Sequence, residues 1–141
     1  MAAKAHQPKR TVVAFAGDGR FLMNGQELAT AMQYGLNIIV IVINNGMYGT
    51  IRMHQEQRYP SRVIGTGLGN PDFAQYARAF GAHGEVMTQT AGFAPALERA
   101  LTAQVPALLE LRIDPDAISP RTTLGGDSSG PFEARFQGLK V

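Results

Sequence analysis

Asp18 and Asn45 are the residues whose types and spacing point most directly to chemistry. Asp18 lies in Gly17-Asp18-Gly19; Asn45, 27 positions later, lies in Asn44-Asn45-Gly46-Met47-Tyr48. A carboxylate and a carboxamide are hard oxygen donors of the kind that suits Mg²⁺, which takes about six oxygens near 2.1 Å and usually fills the remainder from phosphates and water. Glycines beside Asp18 let the chain turn sharply and bring backbone N–H groups against an anion, with the positive end of a following helix nearby. Taken singly, each motif is a common turn, because Asp-Gly and Asn-Gly mostly just reverse the chain. Delivered to one edge of one scaffold, the pair becomes a clamp for a metal and a phosphate.

The stretch between and around them supplies such a scaffold. Residues 11–16 (TVVAFA) are apolar and β-branched, the pattern of a buried strand. From Asn24 the period becomes helical, with Leu28, Ala31, Met32 and Gly35 at i, i+3, i+4 and i+7. Asn24 and Glu27 have capping-box spacing, and Gly35 is a natural stop. Residues 38–43 (IIVIVI) predict a second buried strand. A strand–helix–strand unit of this kind is parallel, and open parallel sheets bind ligands outside the carboxyl ends of their strands. If the two strands are neighbours, their ends lie only about 5 Å apart, or about twice that with one strand between them.

Gly17-Asp18-Gly19, 24 intervening residues and Asn44-Asn45 together resemble the diphosphate-and-metal signature of thiamine-diphosphate enzymes. The surrounding text, AGDGRFLMNGQELATAMQYGLNIIVIVINNGMYGTIRMHQE, is similar to the branch that holds acetolactate synthase, benzoylformate decarboxylase and related 2-oxo acid enzymes. The resemblance runs over residues 11–124 and implies a three-layer α/β fold with a mostly parallel sheet. It implies two cofactors, thiamine diphosphate and Mg²⁺. By that resemblance the side chains of Asp18 and Asn45 and the backbone carbonyl of Met47 hold the metal. Gly17, Gly19, Arg20 and Tyr48 would then lie by the diphosphate; Arg20 departs from the small residue more usual in the family, and a solvent-facing side chain with a contributing N–H is expected. The cofactor works through the acidic C2–H of its thiazolium, and the glutamate that promotes its loss belongs, in the family, to a separate pyrimidine-binding domain. No catalytic residue is therefore assigned here. The chain reads as the anchoring half of an enzyme that makes or breaks a C–C bond next to a carbonyl, inactive without its partner domain and expected to be homo-oligomeric. The alternative is a non-catalytic subunit or remnant that keeps the fold as a binding or assembly module.

Other features narrow the choice. With 141 residues, 45% of them apolar, the chain has enough for a single core. A formal charge of +2 with arginines dispersed from Arg52 to Arg121 argues against nucleic acid. There is no cysteine, so disulfides and thiolate chemistry are excluded. No apolar run approaches the ~18 residues that span a bilayer, and residues 1–10 lack a signal core, so a cytoplasmic protein is expected. No GxxxxGK, and no GxGxxG after a strand, supports a nucleotide binder.

Further along, Ala2, Ala3 and Ala5 suit the end of a helix, as expected of an N-terminally truncated domain; a disordered leader is the alternative. Residues 49–55 suggest a short helix and residues 59–69 a glycine-rich loop of functional length. Asn70-Pro71-Asp72 predicts a helix start capped by Asn70, with Phe73, Tyr76, Ala77 and Phe80 on the apolar face. Strands are expected over 82–87 and 107–113. A helix between them carries Phe93, Leu97, Ala100 and Leu101 and begins no earlier than Ala91 because of Pro95. The domain is expected to span 1–124 and residues 125–141 to form a loose tail. Glu27 is read as a cap, His54 and Glu56 as surface groups and His83 as a structurally satisfied histidine.

Overall fold

The computed structural model describes residues 1–119, 122 and 123. These fall into two compact units: Met1–Gly46 with Leu68–Ile113, and a second built from Met47–Gly67 and the described residues from Asp114 onward. The boundary at Leu124 and the tail at 125–141 lie outside the described residues.

The first unit is a four-stranded parallel sheet in the order β1-β2-β4-β3, with β1 Val13–Gly17, β2 Ile39–Asn44, β3 His83–Met87 and β4 Ala107–Arg112. Its α-helices are α1 Ala2–His6, α2 Asp18–Phe21, α3 Leu28–Gln33, α5 Phe73–Ala79 and α6 Phe93–Thr102; α4 Gly49–Arg58 belongs to the second unit. Alternation along the strands divides the core in two, since successive side chains point to opposite faces. Val40, Val42 and Leu108 meet Phe21, Leu28, Ala31, Phe73 and Ala77 of α2, α3 and α5 on one face. Ile39, Ile41, Ala107 and Leu109 meet Ala96 and Ala100 of α6 on the other. Phe21 and Phe73 close the first layer edge to face, with ring centroids 5.5 Å apart, a favoured aromatic geometry. The fold is therefore the expected three-layer α/β arrangement.

Three local expectations need correction. β1 is an edge strand, with Phe15 69% and Val13 40% exposed, so it is not buried on both faces. Its apolar run specifies a strand, but only the strand order specifies which of its faces is covered. Neither Asn24 nor Glu27 makes a side-chain capping bond; a 3-10 turn at Gly25–Glu27 leads into α3 instead. The helix does stop where Gly35 adopts φ 60°, a left-handed conformation that glycine tolerates without a Cβ clash. Asn70 is not the cap of α5. Asp72 is, its Oδ1 accepting the Gln75 N–H at 2.7 Å, which frees Asn70 for another role.

In the second unit, β5 Ala117–Ser119 pairs antiparallel with β6 Thr122–Thr123. Met47 bridges Gly67, and the Tyr48 N–H donates to the Thr66 carbonyl at 2.9 Å. Gln55 clasps the loop after α4 through both atoms of its amide, accepting from the Ile64 N–H and donating to the Ile64 carbonyl at 3.0 Å each.

Candidate functional site

Parallel pairing of β1 with β2, in the register Ala16↔Val42 and Gly17↔Ile43, brings the two motif ends to the same sheet edge. Asp18 follows directly on β1 and is 3% exposed. Its Oδ1 accepts the Gly19 N–H at 2.9 Å, and its Oδ2 accepts the Gly46 N–H at 2.9 Å. Thus the first motif is hydrogen-bonded to the second across the sheet edge. Gly46 reaches that position with φ 70°, a backbone conformation that side-chain-bearing residues seldom adopt.

A third donor completes the arrangement. Asn70 Nδ2 donates to Asp18 Oδ2 at 2.7 Å and to Asn44 Oδ1 at 2.9 Å. Asn44 Oδ1 also accepts the Gly46 N–H at 3.0 Å, while Asn44 Nδ2 donates to Glu110 Oε1 at 2.8 Å. Glu110, with no exposed surface, further accepts the Phe73 N–H at 3.1 Å on Oε2 and Arg112 Nε at 2.8 Å on Oε1. Beside Glu110 the Arg112 guanidinium is raised above its ordinary value, first by that hydrogen bond and then by the charge. A continuous polar chain, Glu110–Asn44–Asn70–Asp18, therefore runs along the carboxyl edge of β4, β2 and β1.

These partners show what each atom has left. An ionised carboxylate offers about four lone-pair sites; Asp18 uses two on Oδ2 and one on Oδ1. One site on Oδ1 remains for a ligand. Asn44 has both ends of its amide engaged, and Asn45 beside it is half-buried. Among the described residues no group of three or more His, Asp or Glu side chains converges. Any cation held at this edge therefore needs mixed carboxylate, amide and backbone oxygens, the donor set Mg²⁺ accepts.

The remaining sequence-based candidates separate. Gly17 and Gly19 flank Asp18, with Gly19 buried and Arg20 exposed. Met47 and Tyr48 belong to the second unit, where the Met47 carbonyl accepts the Gly49 N–H at 3.0 Å. Glu27 and His54 are exposed, and Glu56 accepts the Ser61 N–H at 3.0 Å, holding the loop. His83 Nε2 lies 2.8 Å from Glu85 Oε1, the structural partner expected of it. Sequence reasoning missed Asn44, Asn70 and Glu110. A carboxylate inside the apolar strand ALLELR was the one available signal, because buried charges are kept only when paired or hydrogen-bonded.

A parallel sheet with a polar cluster outside its strand ends defines a ligand-binding α/β domain. Residues 1–111 match the family model described as "Thiamine pyrophosphate enzyme, C-terminal TPP binding domain", and the chain belongs to that family. Among curated relatives it is 36% identical over 129 residues to an acetolactate synthase of Arthrospira platensis, covering 89% of this chain and 22% of that protein. It is likewise 36% identical over 133 residues to the acetolactate synthase isozyme 2 large subunit of Escherichia coli K12, covering 93% of this chain and 24% of the relative. Among solved structures it resembles the Rhodococcus jostii RHA1 thiamine diphosphate-dependent 4-hydroxybenzoylformate decarboxylase. The TM-score is 0.73 at 29% identity, covering 79% of this chain and 21% of that one. The chain thus spans about a fifth to a quarter of the length of these proteins. No helix among the described residues is long and apolar enough to cross a membrane.

Proposed function

We propose that this domain anchors the diphosphate end of thiamine diphosphate through Mg²⁺, within an enzyme that makes or breaks a C–C bond next to the carbonyl of a 2-oxo acid. Asp18 Oδ1 and the Asn45 side chain would hold the metal, with the Met47 carbonyl assigned by the family resemblance. Gly17, Gly19, Arg20 and Tyr48 would lie by the diphosphate. The observation that carries the proposal is the 2.9 Å hydrogen bond from the Gly46 N–H to Asp18 Oδ2, which joins the two motifs at adjacent strand ends. Bound there, the cofactor would supply an acidic C2–H next to its cationic thiazolium nitrogen. The residues of this chain would contribute position: neutralised phosphate charge and a fixed tail that presents the reactive ring at a constant place.

A pyrimidine-binding domain, in the same enzyme or a second subunit, would complete the site, and a homo-oligomer would bring the two together. This reading draws support from the relatives being four to five times longer than the matched segment. Isothermal titration of the chain with thiamine diphosphate and Mg²⁺ tests the anchoring role. Saturable binding that Asp18→Ala abolishes is the expected result; equal binding by both proteins removes Asp18 from the site. Turnover of a 2-oxo acid by this chain alone would contradict its dependence on a partner domain.

A further inference from the structure

We infer that Asn70 is a positioning residue for the metal ligand Asp18, holding its carboxylate so that only Oδ1 keeps a site for the cation; this rests on the anchoring role proposed above. The Asn70 amide has one orientation that fits its neighbours. Both groups near Nδ2, Asp18 Oδ2 at 2.7 Å and Asn44 Oδ1 at 2.9 Å, are acceptors, and turning the amide over would set oxygen against oxygen. That orientation leaves Asn70 Oδ1 buried with no hydrogen-bond partner. Burying an unpaired carbonyl is unfavourable, so the two donated bonds must outweigh it.

The consequence for Asp18 is directional. Oδ2 is filled by Asn70 and the Gly46 N–H, and Oδ1 takes the Gly19 N–H. Without Asn70, Oδ2 would regain an open lone pair, and the carboxylate could present either oxygen or rotate about its χ2. Behind Asn70 the chain continues through Asn44 to Glu110, whose remaining oxygen is tied to the first N–H of α5. Asn70 itself lies just before α5, after the second unit's loop has returned to Leu68, whose N–H donates to the Gly46 carbonyl at 2.8 Å. One short segment thus clamps both sides of the Asn44–Gly46 turn. A ligand restricted to one rotamer binds a cation without having to be ordered at the moment of binding.

The test uses Mn²⁺ as the probe for the metal. The free-ion electron paramagnetic resonance signal is titrated against the full chain with thiamine diphosphate, and corrected for the cofactor alone. Asn70→Ala should weaken Mn²⁺ binding about 10- to 100-fold, the usual loss when an outer partner of a ligand is removed. Asn70→Leu, which fills the same space without a donor, should do the same and serves if the smaller side chain spoils folding. Asp72→Ala is the control: it removes the helix cap two residues away but leaves every partner of Asp18 in place, and should bind as the parent does while melting lower. If parent and Asn70 variants bind equally, or Asp72→Ala weakens binding as much as Asn70→Ala, Asn70 has no positioning role although the anchoring reading stands. If the parent shows no saturable Mn²⁺ binding, the anchoring reading fails and takes this inference with it.

Discussion

Glu110 and Glu85 sit on adjacent strands, and each is held by an arginine, yet the two carboxylates serve different ends. Glu85 pairs in register with Leu109, and Glu110 with Val86, so the pleat sends them to opposite faces of the sheet. Glu110 is fully buried, and two of its three donors are the Asn44 amide and the Phe73 N–H, groups with fixed direction. Glu85 keeps 23% of its side chain exposed and takes a two-pronged contact from Arg99 of α6, at 2.8 and 2.6 Å, along with His83. Arg99, itself 55% exposed, is the main reason the Glu85 carboxyl lies below its ordinary value, with desolvation opposing. The contrast is between a carboxylate that fixes where other groups lie and one that fastens a helix to a strand. The first passes its constraint to Asn44, Asn70 and Asp18; the second ends at the surface.

Removing the buried member should have the largest effect. Glu110→Ala leaves the Phe73 N–H and Asn44 Nδ2 without acceptors in the core, a loss of roughly 3–5 kcal/mol by analogy with broken buried ion pairs. Urea unfolding measures it, and a loss no greater than that of an exposed substitution would show that Glu110 constrains its neighbours no more than Glu85 does. An intermediate effect is expected at Gly84, which precedes Glu85 on β3 and pairs with Leu108 of β4. A Cβ there would press on the Ala74 carbonyl oxygen of α5, closer than real Cβ contacts come. Gly84→Ala should therefore cost about 1–3 kcal/mol by overpacking. Because α5 carries the Phe73 N–H, that variant should also weaken metal binding, whereas a variant of the surface pair should not. The smallest change belongs to Arg99→Ala, because exposed ion pairs contribute little. Its sign with pH is definite. A carboxyl whose folded value lies below its ordinary 4.5 stabilises the fold fully above that pH and loses the contribution as pH falls through the folded value. Melting temperatures of parent and Arg99→Ala should therefore converge on acidification; a gap that widens instead would show that Glu85 is not the partner that matters.

Particular residues show how far the sequence could be read. The helix Phe73–Ala79 was legible because its apolar residues repeat with helical period, and the strands Ile39–Asn44 and Ala107–Arg112 because each is a short, largely apolar run. Asp18 and Asn45 stood out because each lies just past an apolar run and beside a glycine. Asn70 did not. Its neighbours Pro71 and Asp72 make a convincing helix start, and a local capping pattern gives no hint that the side chain answers to a carboxylate 52 positions away. Glu110 was visible only as an anomaly in an apolar strand, with nothing in the sequence to name its partners. Phe15 misled for a related reason: an apolar strand residue looks the same at a covered centre and at an exposed edge.

By itself the sequence determined the elements, the family and the two motifs, because periodicity, turn chemistry and residue type are local properties of the chain. Tertiary structure alone decided that β1 and β2 are neighbours, that Asn44 is engaged on both ends of its amide, and that Asn70 and Glu110 join Asp18 in one polar chain. Hydrogen bonds between distant residues depend on strand order and register, and these are settled only when the whole sheet assembles.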